Sequence, residues 1–248
     1  MPAREITCKI KEMFWQTPYV LSIRFEPSKK FNFEAGQFLS IYVPQKDDGP
    51  KSVRRAYSIS SSPEDAKKTG YEICIKVVTG GQGSSYLANL KPGDTFKATA
   101  PYGDFVFRPR EGRGICFVCT GTGIAPIKAI VDSAYFQENR PDRVRLLFGA
   151  RNDGDIIFRG HFEAMGINTI RAFSQIENSL AFKGRITDYL RSQTTQLEWH
   201  ATDFYLCGNG MMIQEVNQIL QGRGVRVESI KQEAYFSANT IREIKKAA

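Results

Sequence analysis

Cysteine and histidine are scarce in these 248 residues, and no long apolar run is present. The five cysteines, Cys8, Cys74, Cys116, Cys119 and Cys207, form an odd, scattered set that does not read as a secreted disulfide framework. Cys116 and Cys119 have a C-x-x-C spacing, but they lie in an apolar run where a strand would point them to opposite faces. No second C-x-x-C follows, and His161 and His200 are the only histidines, so buried core thiols are the expectation and no metal site is assigned. An iron–sulfur cluster, which needs about four thiolates at set spacings, is not expected within this chain. No apolar stretch approaches the roughly 18 residues needed to span a bilayer. The first residues carry no hydrophobic run, so a signal peptide is not expected and the chain reads as cytoplasmic. The composition, 42% apolar and 24% charged, is that of an ordinary globular protein and excludes disordered, collagenous and coiled-coil classes.

The length admits one large domain or two ordinary ones, and the patterning favours two. Up to about Arg110, short alternating runs at Tyr19–Glu26, Gln37–Val43, Ala56–Ser60, Tyr71–Thr79 and Thr95–Ala100 are separated by Pro- and Gly-marked turns. Many short strands without intervening helices predict a closed antiparallel β-barrel. Apolar strands then alternate with helical patterns. Strands are expected at Gly114–Thr120, Val144–Gly149, Asn168–Phe173 and Phe204–Cys207. Helices are expected over Ile124–Phe136, near Asp155–Met165, near Thr187–Arg191 and from Met211 to Leu220. That alternation predicts an α/β domain with a parallel sheet covered on both faces. The domains are expected at 1–110 and 111–236, with a tail at 237–248.

Three segments carry chemistry. Gly121-Thr122-Gly123-Ile124-Ala125-Pro126 follows an expected strand and opens an expected helix; its two glycines let the backbone approach a diphosphate, to which a helix N-terminus presents free N–H groups. It lacks the full G-x-G-x-x-G fingerprint, and alone it is also compatible with a plain strand-to-helix turn. Arg55-Ala56-Tyr57-Ser58 sets a cation, a planar ring and a hydroxyl at strand spacing, suited to a phosphate, a flat ring and a ring nitrogen, though any edge strand reads similarly. Gly81-Gln82-Gly83-Ser84-Ser85 is a glycine-rich turn in which a serine is expected as helix N-cap, building a second anion site.

The order of these pieces is more specific than any one of them. Arg-x-Tyr-Ser, Gly-x-x-Ser-x-x-Leu, Gly-Thr-Gly-Ile-Ala-Pro, Cys207-Gly208-Asn209 and Glu233-Ala234-Tyr235 occur in sequence, and together they resemble the ferredoxin–NADP reductase superfamily over nearly the whole chain. The match is most like its bacterial ferredoxin/flavodoxin reductases. The resemblance implies a barrel that binds FAD and a five-stranded α/β domain that binds the nicotinamide dinucleotide. Arg55 would pair with the FAD diphosphate, with Ala56 beside it. Tyr57 would pack on the flavin ring, and Ser58 would bond near the flavin nitrogen that receives hydride. Gly81, Gly83, Ser84 and Ser85 would hold the diphosphate from the other side, near Lys76. Thr120, Gly121, Thr122 and Gly123 would receive the nicotinamide cofactor's diphosphate, and Cys207 and Gly208 would lie against the nicotinamide. Tyr235 would cover the flavin, Glu233 would donate a proton or tune charge, and Phe236 would offer an aromatic surface where the tail runs along FAD. Ser58, Cys207, Glu233 and Tyr235 are the catalytic candidates.

NADPH is expected over NADH. NADP-specific relatives place a Ser-Arg pair after the third α/β strand, and here it reads Ser174-Gln175. Arg151 and Arg185 nevertheless match two other phosphate arginines of the bacterial enzymes, and no acidic residue stands at the ribose-binding positions. Residues 1–110 hold 17 Lys and Arg against 11 Asp and Glu, a surplus of +6 in a total of +8. That surplus suits a small acidic carrier such as ferredoxin or flavodoxin, with Lys29, Lys30, Lys51 and Arg54 as candidate docking residues. No dense basic tract or recognised module suggests nucleic acid. The expected form is a monomer. Two alternatives stay open: an NADH-dependent oxygenase component or free-flavin reductase, and an electron-transfer subunit active only within a complex.

Overall fold

A computed structural model describes residues 2–45, 52–175, 181–193 and 198–235. Lys51, Phe236 and the 237–248 tail, all singled out in the sequence, lie outside them. The chain divides into two compact units, Met1–Arg108 with Ala125–Arg140, and Pro109–Ile124 with Pro141–Ala248.

The first unit is an antiparallel six-stranded sheet of β1 (Arg4–Thr17), β2 (Val20–Pro27), β3 (Phe38–Pro44), β4 (Ser52–Ser58), β5 (Tyr71–Lys76) and β6 (Thr95–Tyr102). Their order is β4-β3-β6-β1-β2-β5. An Ile59–Ile73 bridge joins the β4 end to β5, and Ser60 N–H donates to the Glu72 carbonyl at 2.8 Å, so the two edges meet and the barrel closes. Alternation drives the core: β3 turns Leu39, Ile41 and Val43 inward, where they pack with Ile23, Phe25 and Phe96. Each such burial contributes about 1.5–3 kcal/mol. At the closure sits a buried carboxylate, Glu72, which accepts from Arg24 at 3.0 Å and from the Ser60 hydroxyl at 3.2 Å. The pairing offsets the cost of removing that charge from water.

Two short helices decorate the barrel. In α1 (Pro63–Lys68), Ser62 caps the Asp65 N–H at 3.0 Å and proline takes the first turn. The second, α2 (Gln82–Ala88), corrects the expected serine cap. Its N-cap is Gly81, and Ser84 lies inside the first turn, its hydroxyl accepting from Val78 N–H at 3.1 Å.

Among the described residues the second unit holds six parallel strands: β7 (Gly114–Thr120), β8 (Val144–Ala150), β9 (Asn168–Phe173), β10 (Phe182–Lys183), β11 (Thr202–Asn209) and β12 (Ile230–Tyr235). The sheet has one strand more than the expected five, because β10 is a two-residue addition at the edge, too short to register as a period. The order β10-β9-β8-β7-β11-β12 places β7 in the middle, where the strand order reverses. Ligands of such sheets bind outside the carboxyl ends of the strands at that reversal. Where the chain enters this unit, Asp203 accepts from Arg113 Nε at 2.7 Å and from Arg110.

Two helical expectations are corrected. The stretch from Ile124 breaks into α3 (Ile124–Asp132) and α4 (Ala134–Glu138), because Ser133 caps the second by accepting from Phe136 N–H at 3.2 Å. Near Asp155–Met165 only α5 (His161–Ala164) forms, because Phe158 and Gly160 take left-handed backbone angles of +52° and +75°. From Ala125 onward α3 and α4 belong to the first compact unit, while α5, α6 (Ile186–Ser192) and α7 (Gly210–Gly222) belong to the second. All five thiols are buried and unbridged. No helix among the described residues is long and apolar enough to cross a membrane.

Candidate active site

In the first unit the strand β4 carries Arg55 and Tyr57 two residues apart, hence on one face. The turn into α2 comes down on that face so closely that a β-carbon on Gly83 would stand 2.7 Å from the Tyr57 hydroxyl and 2.9 Å from Arg55 Cγ. Any larger residue there would have to displace one of these two side chains. Arg55 is exposed and donates through Nη1 to the Arg54 carbonyl at 2.9 Å, one of the five N–H donors of its guanidinium. Tyr57 is half-buried, and burial pushes its hydroxyl up to about 12 while the Arg55 charge pulls it down, leaving the ring neutral at physiological pH. Ser58 is buried at the end of β4, and Ala56 is exposed. Lys76 ends β5, exposed, at the start of the same turn. Gly81 is equally constrained: a β-carbon there would meet the Ser84 hydroxyl at 2.8 Å. The structure thus gathers a cation, an aromatic ring and a glycine turn opening a helix, the donor set for a diphosphate joined to a flat ring.

The second unit builds two turns against each other at the carboxyl ends of β7 and β11. Thr120 ends β7, and Gly121–Gly123 forms one tight turn before α3. A β-carbon on Gly123 would lie 2.3 Å from the Cys207 carbonyl oxygen, and one on Gly208 would lie 2.6 Å from the Thr120 hydroxyl. The Asn209 N–H donates to that hydroxyl at 3.1 Å, while the Asn209 side chain caps α7 by accepting from Met211 and Met212. Gly121, at φ +54°, has open space where a side chain would be, and Thr122 is half-buried beside it. Cys207 is fully buried. Burial and the nearby Glu233 charge raise its pKa, and a hydrogen bond with Tyr235 opposes them. The register explains the grouping: Cys207 pairs with Glu233 across β11 and β12, and Tyr235 follows two residues later on the same face.

Beside these turns lies a cavity of about 400 Å³, which brings together Thr120, Gly121, Arg151, Ser174 and Arg185. It forms because the turns after β8 and β9 are clamped: Ser174 N–H donates to Ala150 at 3.1 Å and Gln175 N–H to Arg151 at 2.9 Å. The cavity also contains two acids that sequence reasoning passed over. Asp155 accepts a forked pair of bonds from Arg151 at 2.8 and 3.0 Å, and Glu215 is ion-paired to Arg191 at 2.5 Å. Their distance along the chain from Ser174 and Arg185 hid them, although Arg151 and Asp155 at i and i+4 are a readable pairing signal.

Two family models match the chain. Residues 12–107 match the family model of the oxidoreductase FAD-binding domain, and residues 117–218 match that of the oxidoreductase NAD-binding domain. Ferredoxin–NADP reductase B of Sorangium cellulosum (strain So ce56) is 31% identical over 233 residues, covering 88% of this chain and 93% of that one. The reductase component 1 of a terephthalate 1,2-dioxygenase from Comamonas sp. is 27% identical over 246 residues, covering 96% of this chain and 70% of that one. Among solved structures, a ferredoxin NADP+ reductase from Neisseria gonorrhoeae with bound FAD and NADP superposes with a TM-score of 0.79 at 23% identity, covering 95% of this chain and 100% of that one.

Proposed function

The chain belongs to the ferredoxin–NADP reductase superfamily, and from that premise we propose that it passes electrons between NADPH, as hydride, and a one-electron carrier such as ferredoxin or flavodoxin, through bound FAD. Residues 1–110 then serve FAD and residues 111–236 the nicotinamide dinucleotide. FAD when bound supplies the step from a two-electron to a one-electron carrier.

The residues present fit that group. Arg55 holds the diphosphate by a charge-assisted bond, supported by Gly81, Gly83, Ser84, Ser85 and Lys76 at the α2 turn. The Gly83 backbone lies close beside Tyr57 and Arg55, so the turn and both side chains can serve one ligand. Tyr57, kept neutral by burial, offers a flat apolar surface, and Ser58 a hydroxyl at the strand end. In the second unit Thr120–Gly123 presents N–H groups to the nicotinamide cofactor's diphosphate. Cys207 and Gly208 give a close, uncharged backbone surface for the nicotinamide, with Glu233 and Tyr235 beside them.

The observation that supports the cofactor choice is the cavity that collects the guanidinium groups of Arg151 and Arg185 with the Ser174 hydroxyl, donors suited to a 2′-phosphate, although Asp155 and Glu215 share its lining. The experiment is steady-state diaphorase kinetics with NADPH and NADH side by side, on protein whose flavin has been identified. A kcat/KM for NADH equal to or above that for NADPH would overturn the assignment. In that case the reading as an NADH-dependent oxygenase component takes over, which Gln175 in place of an arginine favours. The exposed Lys29, Lys30 and Arg54 on the barrel remain the seat proposed for an acidic carrier. Arg54 lies over the Tyr42 ring at 5.1 Å and donates to Ser40 and Tyr102, both at 3.1 Å, so its charge is presented in a fixed place.

A further inference from the structure

Of the two arginines in the 2′-phosphate cavity, one already has a counter-ion. Arg151 donates through Nε and Nη2 to both oxygens of Asp155, and both residues line the cavity. This is the geometry with which arginine also grips a phosphate. Arg185 differs. Its backbone N–H is held by Asp188 at 2.9 Å at the start of α6, but no carboxylate among the described residues pairs with its guanidinium. Glu215, the other acid of the cavity, is ion-paired to Arg191 outside it.

We propose that Asp155 is a specificity-determining residue, a built-in competitor that holds Arg151 and weakens the enzyme's grip on the 2′-phosphate of NADPH relative to NADH. The inference rests on the reading that this cavity takes the 2′-phosphate end of the cofactor. A phosphate dianion entering the cavity competes with Asp155 for the forked Nε–Nη2 edge of Arg151, and it meets the carboxylate's like charge. A cofactor with a plain 2′-hydroxyl meets neither obstacle. The Arg151 side chain is 49% exposed and that of Asp155 21%, so the pair sits where ion pairs exchange at small cost. Asp155 therefore tunes the preference by a modest factor and does not abolish NADPH binding. Together with Gln175 in place of an arginine, it gives a chain that binds NADPH with one committed arginine and one available one.

The test is calorimetric binding of adenosine 2′,5′-bisphosphate and of 5′-AMP to the flavin-loaded full chain, for wild type, Asp155→Asn, Asp155→Ser and Arg185→Ala. Both Asp155 variants are expected to bind the bisphosphate about two- to five-fold tighter, the range of an exposed ion pair, with 5′-AMP binding unchanged. The gain should shrink at high ionic strength. Arg185→Ala should weaken the bisphosphate alone. If both Asp155 variants bind the bisphosphate no better than wild type while Arg185→Ala still weakens it, Asp155 merely positions Arg151 and the proposal fails, the cavity assignment standing. If wild type binds both probes equally and Arg185→Ala changes nothing, the cavity assignment and the proposal fall together.

Discussion

Gly123 stands against Cys207 with no room for a side chain: a β-carbon there would lie 2.3 Å from the Cys207 carbonyl oxygen and 2.7 Å from Gly208 Cα. Both obstacles are backbone, which cannot swing aside as the tip of a flexible side chain does. Gly123→Ala should therefore push the two turns apart, costing about 2 kcal/mol of stability and raising KM for NADPH and NADH together. Thermal unfolding and steady-state kinetics check this. An unchanged Tm with unchanged KM would show that the close approach is not needed for binding.

Arg55→Ala removes the cation that the Gly83 turn packs against. A charge-assisted hydrogen bond to a diphosphate is worth about 1.5–3 kcal/mol, so FAD affinity should fall by about ten- to a hundred-fold. Gel filtration followed by flavin absorbance per protein reports the loss. Arg55→Lys should retain part of the affinity, having the charge without the fork. Full flavin occupancy in Arg55→Ala would refute the placing of the diphosphate here.

Loss of a contact to a non-reacting phosphate shows mainly in KM. Arg185→Ala and Arg151→Ala should raise KM for NADPH far more than for NADH, with kcat less affected. Arg185→Ala should have the larger effect, since no carboxylate among the described residues answers its charge. Equal losses with both cofactors would remove the phosphate from this cavity.

The thiols give the protein an alkaline limit. Burial raises Cys8, Cys74 and Cys116 from the usual 9.0 to about 12. In the unfolded chain each loses its proton near pH 9, while the folded chain keeps it. The stability these thiols contribute is thus complete below pH 9 and drains away as pH climbs toward about 12, at about 1.4 kcal/mol per thiol per pH unit. Melting followed by circular dichroism should show Tm falling steeply above pH 9, with a shallower fall in Cys116→Ala. A flat profile to about pH 10.5 would contradict the shifts.

The sequence made the parallel sheet easy to read, because strands buried on both faces are nearly continuous apolar runs; β7 and β9 have the expected bounds. β1 was not among the expected strands although Ile6, Cys8 and Ile10 alternate inward; only beyond Ile10 do bulges at Ile10/Glu12 and Trp15/Thr17 interrupt the pattern. Helical periodicity across Ser133 and around Phe158 concealed breaks set by a cap and by left-handed backbone, neither of which alters the apolar pattern. At the site, the glycine turns and Arg55-Ala56-Tyr57-Ser58 were legible as local strings. The Arg151–Asp155 spacing was legible as an i, i+4 pair, but its place in the cavity was not, because that comes from a fold that brings the turns after β8 and β9 together. The Gly81 cap was missed for a smaller reason: serine is the better cap chemically, but here its hydroxyl is engaged with Val78.

An enzyme that handles reduced flavin in air works beside a source of hydrogen peroxide. Peroxide attacks cysteine as the thiolate, at sites that solvent reaches. All five thiols here are buried, and burial holds each in its protonated form. The chain thus keeps its cysteines off the path to sulfenic acid without having to replace them, Cys207 beside Glu233 and Tyr235 among them.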